Sequence, residues 1–74
     1  MLKPFKVSAH SVMMNAEMNC ALLDDAFETY NRFKDSPHYY EGDIISNYTG
    51  EVYAHFSKES DAGGITITEW IATN

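Results

Sequence analysis

The residues of this chain that could ligate a soft metal, or supply a nucleophile and its base, are His10, His38, His55 and Cys20. None stands at a zinc-finger spacing, and no two are close enough in sequence to form a ligand pair. Solvated or hydrogen-bonded histidines are therefore expected. Cys20 is expected to pack as a small apolar group. Asp24 and Asp25 are adjacent carboxylates, but neighbours on a helix point in different directions, and acid–base work needs a pocket. Gly63-Gly64 precedes a strand rather than a helix and so reads as a turn, not a phosphate loop. Asn47-Tyr48-Thr49 matches a glycosylation triplet but also reads as a turn. No cofactor or metal is expected, and catalysis is not expected.

Two binding features remain. The first is an acidic helix side. Asp24, Glu28 and Asp35 fall at i, i+4 and i+11, on one axial line, with Asp25 beside them and Arg32 offsetting Glu28. The second is an aromatic set, Tyr39, Tyr40, Tyr48, Tyr53 and Trp70, of the types enriched at interface centres.

The elements that position them follow from periodicity. Leu22–Lys34 predicts an α-helix, with Leu23, Ala26, Phe27, Tyr30 and Phe33 along one face. Asp24 and Asp25 in the first turn and Lys34 in the last suit the helix dipole. The N-cap is poor, since Ala21 and Cys20 offer no side-chain acceptor. Ser36-Pro37 ends the helix. Upstream, Lys3–Val12 alternates as a strand, and Met14, Ala16, Met18 and Cys20 alternate again. Residues 3–20 are a hairpin or one long bent strand, the hairpin being favoured because it gives the helix more sheet to cover.

Downstream, Asp35–Gly42 reads as a connection. Asp43–Tyr48 and Glu51–Ser57 read as a hairpin, turning at Asn47–Gly50 with Gly50 left-handed and followed by a bulge. That register opposes Asn47 to Glu51, Ile45 to Tyr53 and Ile44 to Ala54. It sends Ile44, Val52, Ala54 and Phe56 toward the helix, and Ile45, Tyr53 and His55 away. After a turn at Ser60–Gly64, Ile65–Ala72 is the last strand, with Ile65, Ile67 and Ile71 inward and Thr66, Thr68 and Trp70 outward.

The expected fold is α+β over residues 1–74 as a single domain. One helix packs on one face of a four- to five-stranded, mostly antiparallel sheet in the order β-β-α-β-β-β. Phe27, Tyr30 and Phe33 should meet Val7, Val52, Phe56 and Ile67. The uncovered face should carry Ile45, Tyr53 and Trp70.

Composition bounds the partners. Five Lys and Arg against eleven Asp and Glu give a formal charge of −6. That disfavours direct nucleic-acid binding, which needs clustered cations, and suits a basic protein surface. One cysteine excludes an intrachain disulfide. No leader-like or membrane-spanning apolar run is present, so a cytoplasmic location is expected.

The helix opening Leu22-Leu23-Asp24-Asp25-Ala26-Phe27-Glu28 after a strand pair, followed by Tyr48-Thr49-Gly50-Glu51-Val52 at a hairpin, resembles very small acidic phage and mobile-element proteins. The first half is similar to a small phage inhibitor of bacterial RNA polymerase with a Leu-Asp-Glu-Ala-type helix start, Asp25 standing where that pattern has Glu. The resemblance implies a host-takeover or anti-defence action, including the anti-CRISPR kind. The protein would bind and block a larger host protein or nucleic-acid-binding complex, in the host cytoplasm. Asp24, Asp25, Glu28 and Asp35 are then the candidate charges, and Ile45, Tyr53 and Trp70 the candidate anchors. The alternative is a homo-oligomeric structural or accessory subunit, such as a homodimer, joined through the uncovered sheet face.

Overall fold

A computed structural model describes residues 2–72. Strands β1 (Phe5–Ser11) and β2 (Asn15–Cys20) form a hairpin, which resolves the choice left open for residues 3–20. Its tip is closed without glycine: Ser11 Oγ donates to Met14 O and accepts from Met14 N–H. Helix α1 (Leu23–Asp35) follows, and then β3 (Tyr39–Ser46), β4 (Val52–Asp61) and β5 (Gly64–Ile71). The five strands make one antiparallel sheet in the order β2-β1-β3-β4-β5. The helix lies over β1, β2 and β3, on one face.

The helix starts at Leu23, with Leu22 as an N-cap that makes no side-chain cap bond, and closes where Ser36 N–H reaches Arg32 O and Phe33 O just before Pro37. Ala26 and Tyr30 are fully buried, while Phe27 and Phe33 pack partly buried against the same core. Beneath them two rows of the sheet face the helix. One reads Met18, Val7, Ile44, Ala54, Ile71; the next reads Ala16, Ala9, Gly42, Phe56, Glu69. The small residues in the second row leave room for the Phe56 ring to fold over Gly42, and Tyr30 meets that ring edge-on at 5.4 Å. Gly42 is thus a buried strand residue rather than part of a connection, and β3 starts at Tyr39.

Two bulges revise the expected facing. Between β3 and β4, Ile44 opposes Ala54 as expected, but Ile45 opposes Val52 instead of Tyr53. The turn is one residue wider than its sequence suggests. Ser46 N–H bonds Glu51 O, and Ser46 Oγ accepts the N–H groups of Tyr48 and Thr49. Asn47, expected opposite Glu51, is instead a loop residue whose amide donates to Lys3 O and Asn19 Oδ1. Gly50 is left-handed (φ 80°), as expected. The extra residue on β4 is absorbed at Tyr53, since a bulge sets two residues of one strand against one of the other. Tyr53 therefore turns toward the core and packs edge-on against Phe5 at 5.6 Å. Val52, expected inward, stands opposite Ile45 on the outer face. A second irregularity, between His10 and Ser11 against β3, sets Ser11 opposite Tyr39. Tyr39 packs on Phe33 at 5.0 Å.

The last strand departs most from expectation. Its register is regular and Trp70 faces outward, opposite His55. Ile65, Ile67 and Ile71 do lie on the helix side, but the helix does not reach over them: they are 67%, 49% and 50% exposed. Ile67 is not part of the core, and neither is Val52.

Candidate functional site

Three surfaces carry the residues of interest. The first is the helix's outer side. Asp24, Asp25 and Glu28 are all exposed on its first two turns. Arg32 donates to Glu28 at 2.8 Å, while Asp24 and Asp25 have no ion-pair partner among the described residues. Asp25 and Glu28 flank a shallow groove with Thr29 and the β2 residues Met18, Asn19 and Cys20, so this acidic patch sits at the β2 edge of the sheet. Asp35 is on the same axial line but about 10 Å beyond Glu28, at 1.5 Å per residue. It borders a different groove, with Lys34, Pro37, Lys58, Ile65 and Ile67. The fold thus unites three of the four candidate acids and sets Asp35 among lysines.

The second surface is the sheet's outer face. Among the described residues nothing covers it, as expected, but it is not the apolar cluster that its sequence suggests. Tyr53 has left it through the bulge. Ile45 is half-buried beside Val52, and Trp70 is half-exposed in the neighbouring row. That row reads Glu17, Ser8, Asp43, His55, Trp70 across all five strands. Lys6, His10 and Glu41 lie beside it, and Lys6 reaches Glu17 at 3.6 Å. His10 Nδ1 lies 2.7 Å from Asn15 Oδ1. Asp43 Oδ1 is buried without a hydrogen-bond partner among the described residues. Burial pushes the Asp43 carboxyl above its ordinary range, opposed by His55 and His10. No group of three His, Cys, Asp or Glu among the described residues is arranged to hold a metal ion.

The third surface is the helix-side flank of β4 and β5. One side-chain cluster ties it to the helix. Tyr30 donates its hydroxyl to Glu69 Oε2 at 2.7 Å, and Lys34 Nζ reaches the same oxygen at 3.0 Å. The Tyr30 bond, assisted by Lys34, holds the Glu69 carboxyl below its ordinary range against the opposing effect of burial. Burial, and then the bond and charge of Glu69, push the Tyr30 hydroxyl far up, so it stays protonated as the donor. Sequence alone offered no signal for this trio, because 35 residues separate Lys34 from Glu69. Beyond it, Val12, Pro37, Tyr40, Lys58 and Ile65 line an open groove at the helix's C-terminal end.

Cys20 is buried and unpaired, as expected of a packing residue. The three grooves described are open. No helix among the described residues is long and apolar enough to cross a membrane. Comparisons with protein-family models, with curated proteins and with solved structures found no match.

Proposed function

We propose that this is a small non-enzymatic binding protein that engages a basic surface of a larger protein and thereby inhibits or modulates it, in the manner of phage host-takeover or anti-defence proteins. The observation that carries the reading is the acidic patch of Asp24, Asp25 and Glu28, exposed on the helix's outer side with only Glu28 paired among the described residues. Three carboxylates held along one side of a rigid helix resemble a run of backbone phosphates in sign and presentation. A surface built for nucleic acid would accept them, and long-range attraction would speed the encounter. Block of the larger protein would be steric, with no reaction carried out by this chain.

The test uses the tagged chain as bait in bacterial lysate, followed by mass spectrometry and a titration of the retained protein. Binding should weaken steeply with added salt, since exposed charges are screened over about 10 Å at 0.1 M. Asp24→Lys and Glu28→Lys together should weaken it further while leaving the circular dichroism unchanged. A retained protein whose affinity ignores both salt and reversal would overturn the electrostatic reading.

A further inference from the structure

The free edge of β5 is unlike the other edge of the sheet. β2 is short and carries Glu17, with Asn15 and Asn19 already bonded to His10 and Asn47. β5 runs for eight residues, Gly64–Ile71, with no proline, no lysine, no bulge against β4, and one charge, Glu69, held by Lys34. Natural sheets blunt edges of this kind with charges, prolines or bulges, because unpaired N–H and C=O groups invite another strand.

Which groups are unpaired follows from the register. Ala72 N–H bonds Tyr53 O, continuing the ladder in which Ile71 opposes Ala54. Hydrogen-bonded pairs alternate along an antiparallel ladder. Counting back from Ala72, the backbone groups of Trp70, Thr68 and Thr66 therefore bond β4. Those of Ile71, Glu69, Ile67 and Ile65 point outward from the edge.

We propose that this edge pairs with the same edge of a second copy, antiparallel about a twofold axis through Thr68, to form one continuous sheet across a homodimer. In that register Ile65 faces Ile71 of the second copy, Thr66 faces Trp70, Ile67 faces Glu69 and Thr68 faces itself. Every residue with outward backbone groups meets another of the same kind. The exposed Ile65, Ile67, Trp70 and Ile71 are all shielded, and threonine–aromatic and threonine–threonine pairs are favourable across strands.

Charge fits this occupant. Lys58 opposes Ile67 on β4 and hydrogen-bonds Ser36 O, with no carboxylate partner among the described residues. The helix-side row across the axis reads Phe56 and Glu69, then Ile67 and Lys58 of the second copy, so acid and base approach over one isoleucine. The acidic patch lies at the β2 edge, far from the axis, where it adds least repulsion. Because the axis stands perpendicular to the sheet, both helices lie on the same side and the dimer presents two acidic patches together. The pairing does not depend on what those patches bind.

Sedimentation equilibrium from low micromolar to several hundred micromolar should show the mass rising to twice that of the chain. Ile67→Pro removes an outward N–H and leaves the β4 ladder intact, so it should weaken dimerisation at least tenfold with unchanged circular dichroism. Thr68→Cys should cross-link on mild oxidation, since facing Cα atoms in such a non-hydrogen-bonded pair are about 4.5 Å apart, within disulfide reach. This second variant decides the matter if Ile67→Pro does not fold. A chain that stays monomeric throughout, a dimer indifferent to Ile67→Pro, or cross-linking through Thr66→Cys rather than Thr68→Cys would overturn the proposal.

Discussion

Tyr30→Phe isolates a polar tie between the helix and β5. The substitution keeps the ring, so the edge-on contact with Phe56 survives and only the hydroxyl is lost. A hydrogen bond to a charged group contributes about 1.5–3 kcal/mol. The Glu69 side chain is 26% exposed and keeps Lys34, so water can replace part of the lost bond, and the low end, about 1.5 kcal/mol, is expected. Urea unfolding at pH 7 measures it. Glu69→Gln and the double variant complete a cycle, whose coupling should be about 1 kcal/mol. The sign with pH follows from Glu69, whose folded pKa lies below the unfolded 4.5. Its stabilisation is present above 4.5 and is lost as pH falls through the folded value, so the cost of Tyr30→Phe should shrink in acid. Coupling below about 0.5 kcal/mol, the scatter of independent sites, or a cost unchanged in acid, would refute this account of the trio.

Gly42→Ala would place a Cβ 2.5 Å from Phe56 Cε1 and 2.9 Å from Ser8 O, so it should cost about 1–3 kcal/mol by urea unfolding, as overpacking does. Phe27→Ala should cost about 3 kcal/mol, the low end for a core phenylalanine because its ring is only partly buried, and should lower the thermal midpoint sharply in so small a domain. Asp43→Asn should raise the urea midpoint at pH 7, because burial disfavours the ionised carboxylate. The raised folded pKa means that this gain shrinks as pH falls through the folded value and vanishes below the unfolded 3.8.

Periodicity alone carried the element order, the antiparallel class and the helix face. Leu23, Ala26, Phe27, Tyr30 and Phe33 must share a side at 3.6 residues per turn, whatever they pack against. The alternation of Phe5, Val7 and Ala9 likewise has one reading. Local chemistry also placed Gly50 in its left-handed turn and ended the helix before Pro37. Sequence period cannot show where an extra residue is absorbed. Ser46 Oγ capping the turn and Asn47 reaching Lys3 and Asn19 moved the β3–β4 bulge to Tyr53, and one residue of slip reverses a side chain's face. That reversal took Tyr53 into the core and put Val52 outside. Nor could the isoleucines of β5 disclose their exposure. Alternation assigns them a face, but whether that face is covered depends on where a 13-residue helix lies across five strands. The helix settles over β1, β2 and β3, where Gly42 admits the Phe56 ring, and β5 is left with its edge and both faces open.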